Sequence, residues 1–344
     1  MPADVVIIGA GIVGMCAAYR IAQAGRSVTV IDRRGIAGGA TGAATGIVPR
    51  LTRADSDFAR LCEAGRAEIE SLLAELGPEG PRLRQLGALR VVEPDEREAE
   101  RTAYEAEAAR GVPCEWLGPA ALRSLEPAVS ERFAGAIRYP ETAHLDAAAL
   151  CRCLAGRVAA TGGRIAAAEV TAVAAGAGGW TVRTTAGDWS AGAVVAATGA
   201  WAGLPLPDLG AAEVRPVRGQ AMELPAGAAR LRHIVEHGPT HLVPTPDGTL
   251  LAGATSEEVG YDDGTTAAGL ADVAARAADL VPALAGAVPL RTWAGLRPKC
   301  LRRLPIVGPV PGRPGAYFAT GHYKSGVLLG PVAGRRIAEL IDGN

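Results

Sequence analysis

The sequence predicts an α/β fold, α+β overall, in which a parallel central sheet is joined to a second domain with an antiparallel sheet. Three observations predict it. The first 32 residues read as strand, helix and strand. Much later, residues 194–199 form another apolar run that enters a glycine turn, as strands buried on both faces do. Between residues 213 and 255, alternating stretches are separated by Pro or Gly, which is typical of antiparallel sheets.

Composition narrows the class of protein. The 344 residues are 49% hydrophobic and carry a net charge of -1, so a large core can form and no nucleic-acid-binding charge pattern is present. No apolar stretch approaches the roughly 18 residues of a membrane span. Six cysteines without a CxxC pair indicate reduced thiols and no metal site. We therefore expect a cytoplasmic protein with small-molecule partners, no nucleic acid, and no integral membrane segment.

A glycine turn links the first strand to the first helix. Residues 5–8 are apolar throughout, residues 12–24 are helical in pattern, and residues 27–31 form the next strand. Gly9, Gly11 and Gly14 fit G-x-G-x-x-G, which allows a tight turn, close approach to a pyrophosphate and close helix packing. Asp32 ends the second strand, where it would bind ribose hydroxyls and repel a 2′-phosphate. The residues thus predict a site that binds a dinucleotide, with NAD or FAD preferred over NADP.

The remaining elements follow from periodicity and capping. Residues 38–46 are all small, which indicates backbone pressed against a flat ligand or another segment. Asp146 is the expected N-cap of a helix ending near residue 160. The other predicted helices are 58–76, 95–110, 267–281 and 326–341, and the other predicted strands are 88–92, 135–139, 164–165, 169–174, 180–184 and 317–320.

Four later segments, in order, distinguish the two cofactor classes. They are Val-Val-Ala-Ala-Thr-Gly-Ala-Trp at 194–201, Val-Arg-Pro-Val-Arg-Gly-Gln at 214–220, Trp-Ala-Gly-Leu-Arg-Pro at 293–298 with Leu-Pro-Ile-Val-Gly at 304–308, and Thr-Gly-His-Tyr-Lys-Ser-Gly-Val-Leu-Leu at 320–329. With them, residues 3 to about 341 resemble the D-amino-acid oxidase superfamily of flavoproteins, most closely the bacterial glycine oxidases.

This resemblance implies a Rossmann-like, discontinuous FAD-binding domain of residues 1–80, 141–205 and 291–344. Residues 81–140 and 206–290 would form the substrate domain, whose sheet covers the flavin ring. The residues implied to bind the cofactor are Gly9, Gly11, Ile12, Val13, Gly14, Asp32, Arg33, Ala40, Thr41, Thr45, Gly46, Ile47, Val170, Gly321, His322, Tyr323, Lys324, Ser325, Gly326, Val327 and Leu328.

The resemblance also implies where substrate binds. Arg297 matches the arginine that holds the substrate carboxylate, and a guanidinium suits this role because it offers two parallel donors. Lys324 and His241 stand on the substrate side, where the family has an arginine and a tyrosine. The loop at 299–303 is basic here. We therefore expect a larger or more acidic substrate than glycine.

The expected activity is FAD-dependent oxidation of a small amino acid or secondary amine to an imine, by hydride transfer to flavin N5. Electrons would pass to O₂ or another acceptor. No catalytic residue is certain; His322 and His241 are the candidates. Two alternatives remain open: oxidation of a 2-hydroxy acid on the same scaffold, which needs a base, and a tailoring or non-catalytic flavoprotein.

Overall fold

The structure is a computed structural model that describes residues 3–49, 56–176 and 178–343. Its longer helices are α1 (Ile12–Gln23), α2 (Asp57–Leu76), α3 (Arg97–Ala109), α4 (Pro119–Leu125), α5 (Ala147–Ala160), α6 (Ala267–Leu280) and α7 (Gly326–Asp342).

The strands fall into three sheets. In chain order they are β1 (Ala3–Ile8), β2 (Val28–Asp32), β3 (Ile47–Val48), β4 (Arg84–Gln85), β5 (Ala88–Val92), β6 (Glu115–Leu117), β7 (Gly135–Tyr139), β8 (Ala143–His144), β9 (Arg164–Ala167), β10 (Val170–Gly176), β11 (Gly179–Thr184), β12 (Gly187–Ala196), β13 (Val214–Pro225), β14 (Ile234–His237), β15 (Thr240–Pro244), β16 (Thr249–Gly253), β17 (Arg291–Cys300), β18 (Ile306–Pro309) and β19 (Ala316–Thr320).

The first sheet has a parallel centre, which confirms the predicted fold class. Strands β9, β2, β1, β12 and β19 run parallel in that spatial order, and β10, β11 and β18 add antiparallel edges. Alternate residues of β1 face opposite sides. Val5 and Ile7 pack against the helices, whereas Val6 and Ile8 pack under β10 and β11. Both faces are therefore buried, as the continuous apolar run predicts.

The second sheet is antiparallel except at one pair of strands. Its order is β17-β13-β16-β15-β14-β5-β7-β6, and β14 lies parallel to β5. Helix α6 covers one face with Val273, Ala277 and Leu280. The domain division stays a prediction. Strand β17, which the resemblance places in the FAD-binding domain, pairs along its full length with β13 of the second sheet.

Local signals fixed the helix ends well. The Asp146 carboxylate accepts from the Ala149 N–H at 2.8 Å and caps α5, as predicted. Helix α2 begins one residue before the predicted start, because Ser56 caps it by accepting from Ala59 N. Helix α3 is shorter than the charged segment 95–110 that predicts it. The small third sheet, β3-β8-β4, was not predicted, since two-residue strands carry no periodicity.

Candidate cofactor and substrate site

One cavity of about 630 Å³ lies between the two large sheets. That volume is within the roughly 300–1,000 Å³ usual for ligand sites. The predicted site residues that line it are Gly9, Gly11, Ile12, Val13, Asp32, Arg33, Ala40, Thr41, Thr45, Gly46, Ile47, Val170, His241, Arg297, His322, Tyr323, Lys324, Ser325, Gly326 and Val327. Three predicted residues, Gly14, Gly321 and Leu328, do not line it.

The glycine turn leaves no room for side chains. Gly9 has φ +115°, and a Cβ there would lie 2.3 Å from the Ala197 carbonyl oxygen. A Cβ on Gly14 would lie 2.0 Å from the carbonyl oxygen of Gly9, so Gly14 serves helix packing behind the cavity. At the N-terminus of α1, Ile12 N donates to Thr41 Oγ1 at 3.0 Å. The turn therefore offers a backbone cradle at a helix N-terminus, where anions are stabilised.

Asp32 is positioned by main-chain donors. Its Oδ2 accepts from Ala10 N at 2.8 Å, and its Oδ1 accepts from Arg34 N at 2.7 Å. Arg33 and Arg34 are exposed but partnered: each guanidinium carbon lies 4.8 Å from the centre of the Trp201 ring. This end of the cavity therefore has an aromatic wall that the glycine motif does not reveal.

Residues 38–46 lie close to another segment, as the small side chains predict. Trp293 Nε1 on β17 donates to the Ala43 carbonyl oxygen at 3.0 Å. A Cβ on Gly295 would lie 2.4 Å from that of Ala43. The two segments therefore form a narrow wall of the cavity between the sheets.

Arg297 lines the cavity from strand β17. Its Nη1 donates to the carbonyl oxygens of Thr255 (3.1 Å) and Arg218 (3.5 Å). Within the described residues it has no carboxylate partner. Burial lowers its pKa from the ordinary value, yet an arginine stays charged. The guanidinium lies flat on Gly219, where a Cβ would be 2.1 Å from Nη2.

His241 and Lys324 line the cavity together with Arg297. His241 Nε2 lies 2.8 Å from Thr45 Oγ1. Burial, aided by the positive charges of Arg297 and Lys324, lowers the pKa of His241 to about 4. Lys324 is exposed, with Nζ 5.6 Å from the Tyr323 ring centre. At neutral pH the site therefore holds two cations and a neutral imidazole.

His322 stands in the turn before α7. Burial lowers its pKa to about 4, and its side chain is only 5% exposed. Its Nε2 is buried without a hydrogen-bond partner in the described structure. Such an atom is costly unless a ligand completes its bonding. Helix α7 begins four residues later at Gly326, so its N-terminus also lies at the cavity.

Several lining residues were missed or given no role. The sequence places Trp201 in a family motif but gives it no role, and it indicates no role for Gly219 or Thr255. The signal for Gly219 is present in Val-Arg-Pro-Val-Arg-Gly-Gln, since a glycine inside a strand often marks a close approach. Cys300 does not line the cavity; its Sγ accepts from Arg302 N at 3.3 Å.

The family model for FAD-dependent oxidoreductases of the DAO type matches residues 4–340. The chain belongs to this DAO family. A glycine oxidase of Pseudomonas aeruginosa is 31% identical, covering all of this chain and 96% of its own. Two solved structures are also similar. Glycine oxidase from Geobacillus kaustophilus has a TM-score of 0.92 at 29% identity, covering 99% of this chain and 95% of that chain. Iminodiacetate oxidase from Chelativorans sp. BNC1 has a TM-score of 0.87 at 28% identity, with coverage of 99% and 95%.

Membership of the DAO family decides between the two cofactors that the glycine turn left open. The protein is an FAD-dependent amino acid oxidoreductase. The residues present fit a flavin dinucleotide: the cradle at Gly9 excludes side chains, and His322 Nε2 lacks a partner on the cavity wall.

The described part of the chain contains neither a membrane-spanning helix nor a group of metal ligands. It contains no helix long and apolar enough to cross a membrane. It also contains no cluster of three or more potential metal ligands among His, Cys, Asp and Glu. His233, His237 and His241 are engaged separately, with Glu126, Glu96 and Thr45.

Proposed function

We propose that this enzyme oxidises a small amino acid or secondary amine to an imine, with the substrate carboxylate bound by Arg297. The observation that carries the proposal is the partly buried guanidinium of Arg297. It faces the cavity with no carboxylate partner in the described structure, and its Nη1 bonds only to main-chain carbonyls. A partly buried charge without a counter-ion has lost some of its hydration, so a carboxylate ligand would stabilise it.

The residues proposed to hold FAD follow the cavity from one helix N-terminus to the other. Ile12 and Val13 would hold the pyrophosphate, Asp32 and Arg33 the ribose region, and the segment 40–47 the flavin side. The turn from His322 to the start of α7 would border the pyrimidine edge. Bound there, FAD supplies a two-electron acceptor whose N5 takes the hydride from the substrate α-carbon.

The charges around His241 favour the reactive form of an amine. A protonated amine has no lone pair to expel a hydride, whereas a neutral amine does. Arg297 and Lys324 are both positive and therefore disfavour an ammonium beside them. Loss of hydride from the neutral amine gives an iminium ion, which releases a proton to form the imine. Water then hydrolyses the imine to a 2-oxo acid and ammonia, or to a 2-oxo acid and a primary amine when the substrate is a secondary amine.

The histidines support amines over 2-hydroxy acids. Removing the proton of a hydroxyl group requires a base matched to the working pH. The pKa of His241 and that of His322 are both lowered to about 4, so neither imidazole is a strong base near neutrality. The names of the similar proteins agree: two are glycine oxidases, and the third oxidises iminodiacetate, a secondary amine.

Anaerobic bleaching of the flavin tests the proposal. The FAD-loaded protein is mixed without oxygen with glycine, sarcosine, iminodiacetate, D-alanine or glycolate, and the flavin absorption near 450 nm is followed. We expect at least one amine to bleach it and glycolate not to. Bleaching by glycolate alone would show a hydroxy-acid oxidase. No bleaching by any of the amines would contradict the assignment to small amines.

A further inference from the structure

A segment beside the cavity holds one of the two carbonyl oxygens that accept from Arg297. Residues 254–266, here called the bridging segment, connect β16 to α6. Ala254 and Thr255 line the cavity, and Thr255 offers its carbonyl oxygen to Arg297 at 3.1 Å. Further along, the Tyr261 ring lies 6.3 Å from that of Trp201, and Asp263 pairs with Arg34. The bridging segment therefore contacts three residues that line the cavity: Arg297, Trp201 and Arg34.

Arg218, on strand β13, anchors the bridging segment to the second sheet. Its side chain is only 4% exposed. Nη2 donates to Glu257 Oε2 at 2.6 Å, and Nη1 donates to Asp262 Oδ2 at 2.5 Å and to the Gly264 carbonyl oxygen at 3.1 Å. One guanidinium thus ties three points of the segment to β13. Because Glu257 is its most enclosed acidic partner, loss of that carboxylate would leave a buried cation poorly compensated.

Glu257 also holds the residue that contacts Arg297. One of its carboxylate oxygens, Oε1, accepts from Thr255 Oγ1 and from Gln220 Nε2. The main chain repeats the connection: Arg218 N donates to Glu257 O at 2.8 Å, and Glu257 N donates to Arg218 O at 2.9 Å. The carbonyl oxygens of Thr255 and Arg218, both acceptors for Arg297 Nη1, therefore belong to one hydrogen-bonded unit.

We infer that Arg218 and Glu257 are positioning residues, which orient the Arg297 guanidinium for a substrate carboxylate without touching the substrate. Neither residue lines the cavity. Their ion pair fixes the two carbonyls that direct Nη1, while Gly219, between Arg218 and Gln220, gives the guanidinium a flat surface. This inference rests on the proposed role of Arg297 in binding the carboxylate.

Carboxylate affinity tests the inference in the FAD-loaded protein. The probe is acetate, which has a carboxylate but no amine, and its Kd is read from the change it causes in flavin absorption. The variant is Glu257→Gln, which keeps the size of the side chain and removes its charge. We expect the acetate Kd to rise about tenfold. We also expect the KM for an amino acid substrate to rise more than kcat falls.

A nearby ion pair supplies the matched control. Arg215 lies on β13, like Arg218, and Glu258 lies in the bridging segment, like Glu257. Their charged groups are 2.8 Å apart, but their side chains are 45% and 56% exposed. Arg215→Gln should leave the acetate Kd within twofold of the parent value. An equal increase in both variants would overturn the inference, since any disturbance of the segment would then be enough.

The remaining outcomes separate this inference from the proposed function. If Arg297→Met weakens acetate binding but Glu257→Gln does not, the inference is wrong and the proposed function stands. If Arg297→Met leaves the acetate Kd unchanged, the proposed function fails and the inference with it. If Glu257→Gln yields no FAD-loaded protein, Asp262→Asn decides, because Asp262 is 60% exposed and easily substituted. An unchanged acetate Kd in that variant overturns the inference, and a two- to threefold rise supports it.

Discussion

At the residue scale, Arg297 is where a single substitution should separate substrate recognition from cofactor binding. Arg297→Met keeps an unbranched side chain and removes the charge. For a substrate with a carboxylate, we expect transition-state binding to weaken by about 1.5–3 kcal/mol, the usual contribution of a hydrogen bond to a charged group. The measurement is kcat/KM for glycine and for an amine without a carboxylate, whose value should change little. Equal losses for both substrates would remove Arg297 from carboxylate binding.

Substitution of Gly219 should also weaken the binding of carboxylate substrates, although it removes no charge. A Cβ there would lie 2.1 Å from Arg297 Nη2, and the guanidinium is the mobile end of a long side chain. Gly219→Ala should therefore displace the guanidinium and raise the KM of carboxylate substrates about tenfold or more, a cost of about 1.4 kcal/mol or more. Gly308→Ala is the control, because Gly308 is also in a strand and has open space around it. A normal KM in Gly219→Ala would contradict the packing argument.

The two histidines with lowered pKa values, His241 and His322, should make the FAD-free protein less stable in acid. The pKa values of His241 and His322 are both lowered to about 4, whereas an unfolded histidine has a pKa of about 6.5. Above that value both states are neutral and pH has no effect through these groups. As pH falls from 6.5 towards 4, the unfolded state takes up protons first, so stability is lost. Each histidine should cost about 2 kcal/mol between pH 7 and pH 5.

Urea unfolding at pH 7 and pH 5 measures this dependence. His322→Gln should reduce the loss of unfolding free energy on acidification by about 2 kcal/mol, since one protonation penalty disappears. His237→Gln is the control, because His237 lies partly exposed beside Glu96. A pH dependence that is the same in the parent and in His322→Gln would show that His322 does not remain neutral in the folded protein.

At the element scale, the contact between α1 and α7 brings two helix N-termini to the cavity. The contact is made by backbone, because a Cβ on Gly334 would lie 2.6 Å from Ala17 N and from the carbonyl carbon of Cys16. Gly334→Ala should therefore push the helices apart, destabilise the protein by about 1–3 kcal/mol and weaken FAD binding. Denaturant unfolding and FAD titration measure the two effects.

A helix glycine elsewhere gives the comparison for Gly334. Gly156 lies in α5 with nothing near the position of its Cβ, so Gly156→Ala should stabilise the protein by up to about 1 kcal/mol. If Gly334→Ala and Gly156→Ala had the same stability and FAD affinity, the spacing of α1 and α7 would not depend on Gly334.

Elements governed by neighbouring residues could be predicted from the sequence, and those governed by distant ones could not. The glycine turn with Asp32 and the cap of α5 at Asp146 depend on residues within about one supersecondary unit. By contrast, β17 joins the second sheet because it pairs with β13, which lies far earlier in the chain. The ion pair of Arg218 with Glu257 spans 39 residues, and no local pattern indicates it. Arg297 was identified through family resemblance, which carries such distant information.

At the scale of the whole molecule, the cavity is formed by residues of both large sheets and not by either sheet alone. Its walls include the end of β2 in the first sheet and the start of α1, the helix that follows β1. The second sheet contributes β15 and β17. Arg34 and Asp263 connect the two sides directly. A ligand that fills the cavity contacts both sheets. Its binding should therefore stabilise the packing of the two sheets against each other as well as the folded state of each sheet.

Ligand-dependent unfolding tests whether both sheets take part in ligand binding. A ligand that binds only the folded protein adds about 4 kcal/mol when present at a thousandfold excess over its Kd. FAD should therefore raise the thermal midpoint of the FAD-free protein more than NAD does. Both contain the adenosine diphosphate that would occupy the end near Asp32 and Trp201, but only FAD carries the flavin ring for the end near Arg297. Adenosine monophosphate and riboflavin monophosphate, the two halves of FAD, should together stabilise less than FAD, because two ligands lose more freedom of motion than one. If NAD stabilised the protein as well as FAD, the second sheet would not take part in cofactor binding, and only the glycine turn and its neighbours would hold the dinucleotide.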